Sequence, residues 1–251
     1  MRSIAAVVVF ACLPAHAAEV TEADGVIYLT GAIVAGDYER FRSLIANTSA
    51  EASRLIRLRS PGGNVVESIK IGKLIRSLYM QTDAPISDAH WRRFKDQRWR
   101  MKCGEDKKAV QRIVPCTCAS ACFFVWAGGV WRTGDVLQLH RISFDPSFFG
   151  SLQPDQAASR YQEGLNLVQG YLREMEIPDS YFEKILTTPS YSVIDLYAND
   201  TLPLATSPAF TEWLVARCAS RAKTEEEYKC WGREFEAIHK ARHAQFLAAP
   251  N

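Results

Sequence analysis

The sequence predicts an α/β domain built on a parallel sheet. Three observations predict it. Strand-like and helix-like segments alternate from residue 25 onward. A sharp Pro-Gly-Gly turn separates one such strand from the helix after it. The 251 residues are also enough to bury a substantial core as one domain.

The elements follow in order. Residues 25–31, Gly-Val-Ile-Tyr-Leu-Thr-Gly, are rich in β-formers and end on glycine, which marks a strand. Asp37 is placed to cap a helix in which Tyr38, Phe41, Leu44 and Ile45 recur at helical spacing. Residues 54–59 read as a second strand, and Ser60-Pro61-Gly62-Gly63-Asn64 breaks it. Val66, Ile69, Ile71, Leu74, Ile75 and Leu78 then give residues 65–78 the apolar face of an amphipathic helix. Strand, helix, strand, turn, helix is the order of a parallel sheet with crossovers.

Between residues 85 and 115 this order stops. The segment is rich in Arg and Lys, with Trp91, Phe94 and Trp99 among them, and has no strand pattern. It reads as a basic insertion over the core, a solvated lid or partner surface rather than a nucleic-acid site. Residues 120–128 resume as a buried helix, 136–140 as a strand, 155–176 as a long amphipathic helix and 178–186 as a shorter one. Residues 192–197 read as a strand. Residues 208–215 and 223–245 form a helical C-terminal part. The sequence shows no internal repeat and no low-complexity segment.

The first residues predict export. Met1-Arg2-Ser3 is a short basic start, and residues 4–14 are apolar. That stretch is too short to span a bilayer, which takes roughly 20 apolar residues. Ala15-His16-Ala17 places small residues where a signal peptidase reads them, so cleavage is expected after Ala17. The domain expectation is therefore a signal peptide at 1–17, an α/β domain at 18–205 and a helical extension at 206–251. No later stretch looks like a membrane span, so stable membrane insertion is not expected. Loss of Arg2 lowers the formal charge from +2 to +1, which gives no strong field for nucleic acid or a membrane surface.

Seven cysteines are present, and Cys12 leaves with the leader. An even set remains: Cys103, Cys116, Cys118, Cys122, Cys218 and Cys230. In an exported chain this reads as a disulfide set. Proximity favours Cys218 with Cys230, and pairings among the other four. Their spacing does not match a paired Cys-x-x-Cys zinc pattern, so no metal is expected.

Three segments carry chemistry. A Gly62-Gly63 turn between a strand and a helix exposes backbone N–H groups, and a helix start favours negative charge, so Gly63 N–H is a candidate oxyanion donor. Ser120 stands between two small alanines at the start of an apolar helix, which leaves room for a substrate carbonyl and sets the Ala121 N–H beside it. His140 ends the strand after that helix. Serine hydrolysis needs an imidazole within hydrogen-bond reach of the hydroxyl. Alone, each has an ordinary structural explanation: a turn, a helix cap, a bonded histidine.

Together and in this order they resemble the proteolytic subunit of Clp protease and its crotonase-fold relatives. The resemblance covers roughly residues 25–200 and implies a crotonase-like (Clp-protease-like) α/β fold, a stacked ββα superhelix with a helical C-terminal extension. It maps an oxyanion donor onto Gly63, the nucleophile onto Ser120, a second donor onto Ala121 and the base onto His140. Gly129 and Arg132 stand where the family has a glycine and a basic residue. The chain is most similar to predicted periplasmic members, in which Cys-x-Ser-x-Cys brackets the serine, here Cys118-Ala-Ser120-Ala-Cys122. That likeness implies a Cys118–Cys122 disulfide clamping the nucleophile's turn, which leaves Cys103 with Cys116. The chain departs from the family in the triad acid. Asp179, Asp195 and Asp200 are the candidates, and Asp195 is chosen because apolar residues flank it. Lys184 is the lysine to watch for a Ser-Lys dyad, although it reads better as the solvated side of a short helix.

The expectation is an exported, periplasmic or secreted serine peptidase or related acyl hydrolase, using no cofactor and acting on short peptides or flexible protein segments. The Clp subunit forms rings through a helical handle. No equivalent handle is identified here, and a homo-oligomer is left open. Two rivals stand beside this reading: a non-catalytic binding protein on the same fold, and a crotonase-type enzyme acting on coenzyme A thioesters, against which export argues.

Overall fold

The computed structural model describes residues 17–87, 116–144, 149–219 and 224–249. Residues 1–16 of the expected signal peptide, Cys12 among them, most of the basic insertion and Cys103 lie outside the described residues.

The chain repeats one unit four times: a strand for a large sheet, a short extended segment for a second layer, then a helix. The first unit is β2 (Val26–Thr30), Ile33 and α1 (Asp37–Ala46). The second is β3 (Leu55–Arg59), residues 60–63 and α3 (Val65–Ser77), with a single-turn helix α2 (Ala50–Ser53) before it. The third is β4 (Gln81–Asp83), β5 (Cys118–Ala119) and α4 (Ala121–Ala127), and the fourth is β6 (Trp131–Thr133), β7 (Leu137–Leu139) and α5 (Pro154–Glu174). The repetition is structural only, because strand lengths and loop contents differ from unit to unit.

The large sheet has the order β1-β2-β3-β4-β6. Strands β2, β3, β4 and β6 run parallel. β1 (Glu19–Ala23) pairs antiparallel with β2 through the Asp24-Gly25 turn. Both turn residues have positive φ, as a tight hairpin turn requires. The second layer runs through parallel bridges from Ile33 to Gly63 and from Ser60 to Cys118. It then continues as the sheet β5-β7-β8, where β8 is Ile194–Leu196. This is the expected crotonase-like, stacked ββα arrangement.

The core lies between the sheet and the helices. Ile27, Leu29, Ile56 and Leu58 reach it from alternate positions of β2 and β3, as a period of two demands. Helix α4 is Ala-Cys-Phe-Phe-Val-Trp-Ala and is buried on every side. A helix without a polar face has to sit inside the molecule, and this one carries Ser120 on its N-terminal end. Beyond β7 come α6 (Asp179–Thr187), β8, a single turn α7 (Ala198–Thr201), α8 (Pro208–Cys218) and α9 (Glu225–Ala248). Among the described residues no helix is long and apolar enough to cross a membrane.

One local expectation is corrected. Asp37 does not cap α1: the N-cap is Gly36, with φ 91°. Asp37 is buried, accepts from the Val34 N–H at 2.6 Å and pairs with Arg40. The start of α1 is capped from α3 instead, where Glu67 Oε2 accepts from the Gly36 and Tyr38 N–H groups at 3.0 Å each. A carboxylate from the next unit displaces the local one, which the linear pattern does not reveal.

Candidate functional site

The second layer builds the site. β5 is held on one edge by residue 60: Ala119 N–H donates to Ser60 O at 2.9 Å, and Ser60 N–H donates to Thr117 O at 2.9 Å. It is held on the other edge by β7, where Ser120 N–H donates to Gln138 O at 2.8 Å. The glycine turn, the serine and the histidine strand are therefore adjacent rungs of one layer.

Ser120 joins β5 to α4 with φ 54° and ψ −122°. A residue with a Cβ rarely adopts such a backbone, and it costs about 1–3 kcal/mol where it occurs. A sharp strand-to-helix turn of this kind projects the side chain of its central residue clear of both elements. Ser120 makes no side-chain capping bond to α4, so its hydroxyl is not used as an ordinary helix cap. Its side is half-buried, whereas Ala119 and Ala121 are buried.

The Gly-Gly turn packs directly behind the serine. Gly62 has φ 96°, and a methyl on it would lie 2.7 Å from both Ala119 O and Ser120 Cβ. Gly63 has φ 134°, and a methyl there would strike the Ile33 carbonyl. Both glycines are thus required, by conformation and by close approach. In the Ile33–Gly63 bridge, Ile33 N–H donates to Gly62 O and Asn64 N–H donates to Ile33 O, each at 2.8 Å. This pattern turns Gly63's own N–H to the opposite edge, the edge on which Ser60 meets Cys118. The Ala121 N–H belongs to the first turn of α4, where N–H groups have no intrahelical acceptor.

His140 follows β7 and is half-buried. Its Nδ1 lies 2.8 Å from Arg141 O. A carbonyl only accepts, so Nδ1 carries the proton and Nε2 is left with the lone pair a general base needs. Among the described residues no hydrogen bond joins His140 to Ser120 or to a carboxylate. Asp195 stands opposite Gln138 in the β7–β8 ladder, and its Oδ1 accepts from Gln138 Nε2 at 2.8 Å. Asp179 pairs with Arg173. Lys184 Nζ donates to Asp200 Oδ1 at 2.8 Å. The structure therefore packs the Gly62-Gly63 turn against Ser120 and Ala121, places His140 two residues beyond the Gln138 that accepts from the Ser120 N–H, and engages all three candidate acids, together with Lys184, with other partners. Sequence reasoning missed Gly62 as the backing of Ser120 and the Arg141 carbonyl as the partner of His140. The first was legible as the other half of the glycine pair; the second had no side-chain signal.

Two disulfides are described. Cys118–Cys122 spans the serine, with Cα atoms 5.2 Å apart, and Cys218–Cys230 ties α8 to α9. Cys116 is also disulfide-bonded, while Cys103, its expected partner, lies outside the described residues. Among the described residues no cluster of three or more His, Cys, Asp or Glu is placed to hold a metal ion.

Arg132 is buried just beyond the C-terminal end of α4 and has a structural task. Its guanidinium donates to Gly129 O, Leu204 O and Met175 O at 2.7, 2.9 and 3.0 Å. Burial, reinforced by the neighbouring Arg76 charge, lowers its pKa from the usual guanidinium range to about 9.

No family model matches the chain, and no curated protein matches it. Among solved structures it is similar to an enoyl-CoA hydratase from Mycobacterium avium subsp. paratuberculosis, with 12% identity over 95% of this chain and 96% of that one and a TM-score of 0.35. An enoyl-CoA hydratase from Shewanella pealeana gives 8% identity, 93% and 79% coverage, and a TM-score of 0.38. A methylmalonyl-CoA decarboxylase gives 11% identity, 93% coverage of each chain, and a TM-score of 0.35. These likenesses are too weak to argue from, and the fold description rests on the strand order and bridges of this chain itself.

Proposed function

We infer that the chain is a serine hydrolase of the Clp-protease-like kind, cleaving peptides through Ser120. The carrying observation is the backbone of Ser120, held at a positive φ between a strand and a buried helix with its hydroxyl uncapped. An ordinary cap serine has no need of that conformation.

In this reading Ser120 Oγ attacks the substrate carbonyl and His140 Nε2 takes its proton. The Gly63 and Ala121 N–H groups receive the oxyanion. The Arg141 carbonyl keeps the imidazole in the right tautomer in place of a carboxylate. His140 then protonates the leaving amine, and water, deprotonated by the same imidazole, releases the acyl group. A carbonyl stabilises the imidazolium less than a carboxylate does, so turnover is expected to be slow. No cofactor takes part. The two described disulfides favour an oxidising compartment, which suits a periplasmic or secreted protein. Without a partner unfoldase, the substrates are short peptides and flexible segments.

The engagement of Asp195 by Gln138 favours one alternative, a binding protein that keeps the fold without turnover. Incubation with a quenched peptide library separates the two. Cleavage by the wild type and none by Ser120→Ala supports the hydrolase. Peptide binding without cleavage supports the alternative.

A further inference from the structure

Ser120 occupies a backbone region its side chain disfavours, so something must hold it there. On the strand side, β5 is pinned by hydrogen bonds to Ser60 and β7. On the helix side, α4 is locked in the core. One covalent link crosses the turn between them, the bond between Cys118 in β5 and Cys122 in α4, both with no exposed surface. The Cys118–Cys122 ring encloses only a four-residue separation, against twelve for Cys218–Cys230. A cross-link stabilises a fold less the shorter the loop it closes. The bond around Ser120 is therefore poorly suited to general stapling and well placed for local constraint.

We propose that Cys118 and Cys122 are positioning residues for the nucleophile: their disulfide holds Ser120 in its reactive conformation, and the serine becomes competent only in the oxidised chain. The proposal rests on the hydrolase reading above. Formation of the clamp is a dithiol–disulfide exchange with a protein disulfide donor. One cysteine thiolate attacks the donor's disulfide to give a mixed disulfide, and the second displaces the donor. The Cys118–Cys122 bond forms, the donor's S–S bond becomes two thiols, and two electrons and two protons pass to the donor. Both sulfurs are buried in the finished fold, so the exchange precedes final packing of α4. A chain kept in a reducing compartment then folds with a relaxed, unreactive serine, which confines hydrolysis to the oxidising side.

The test measures fluorophosphonate inactivation of oxidised wild type, the Cys118→Ala/Cys122→Ala variant and a Cys218→Ala/Cys230→Ala control, with far-UV and near-UV circular dichroism on each. The expected result is a maximal inactivation rate lowered roughly ten- to hundredfold in the first variant only, the range set by the strain released. The probe concentration at half-maximal rate stays within about twofold, which a general loss of structure would not preserve. Equal rates in wild type and the first variant overturn the clamp and leave the hydrolase standing. An unreactive oxidised wild type overturns both. A second arm needs no substitution. Wild type is unfolded, reduced with a phosphine, refolded at graded oxidant concentrations and alkylated, and the thiols are mapped by mass spectrometry. Loss of labelling that tracks Cys118 and Cys122, and returns on reoxidation, supports the proposal. Loss that tracks Cys218 and Cys230, or full labelling of folded chains in which Cys118 and Cys122 are mapped as thiols, refutes it.

Discussion

Gly62 lies against Ser120 so closely that a methyl group on its α-carbon would come within 2.7 Å of the serine Cβ. The turn that carries Gly62 and Gly63 and the turn that carries Ser120 are packed directly against each other.

Substitution at Gly62 tests that coupling. Gly62→Ala must shift either the Ala119 carbonyl or Ser120 and must adopt φ 96° with a side chain. Denaturant unfolding is expected to show a loss of about 2 kcal/mol or more. Fluorophosphonate labelling of the protein that remains folded should fall by roughly tenfold or more. Unchanged labelling would mean that the two turns are independent.

The carboxylates make a sharper case. Asp195 accepts from Gln138, and Nδ1 of His140 faces the Arg141 carbonyl. Asp195→Asn is therefore expected to change the labelling rate by no more than about threefold, against a loss of roughly a hundredfold or more for His140→Ala. An Asp195→Asn effect as large as that of His140→Ala would restore Asp195 to the triad.

Arg132 should separate fold from chemistry. Removing its guanidinium in Arg132→Met leaves three buried carbonyls without that donor. The expected cost is about 2–4 kcal/mol in denaturant unfolding. Labelling of the folded fraction is expected to be unaltered.

The pH dependence of stability is read from Glu67. Burial opposes its ionisation, but the Lys70 ammonium and the N–H groups of Tyr38 and Gly36 outweigh burial and hold the carboxyl below its ordinary range. A carboxyl depressed in the folded state contributes stability above its unfolded pKa, and that contribution is lost as pH falls through the folded value. Glu67→Gln should therefore lower stability at neutral pH by about 1–2 kcal/mol, with the difference from wild type shrinking in urea titrations below about pH 4.5. A difference that stays constant down to acid pH would remove Glu67 from this role.

The α/β order was legible because the strands and helices differ in period, and β2, β3, α1 and α3 fall within a few residues of where their patterns place them. β1 was missed although Asp24-Gly25 is a strong hairpin signal. β4 and β6 are three residues each, too short to show alternation. Within the site, Ser120, His140 and the glycine turn were readable as residue types in order. The positive φ of Ser120 was not, because Ala-Ser-Ala carries no mark of a strained turn. Nor was the Arg141 carbonyl, since backbone groups are the same in every sequence. Asp195 looked rigidly placed from its apolar neighbours, and it is held, but by Gln138.

The most direct measurement is labelling of the oxidised protein, expressed from residue 18 onward, with a fluorophosphonate probe beside Ser120→Ala and His140→Ala, each shown to be folded by circular dichroism. The account predicts one labelled serine, mapped to Ser120 by mass spectrometry, with labelling abolished in both variants. A folded wild type that remains unlabelled, or one whose labelling survives Ser120→Ala, would contradict it.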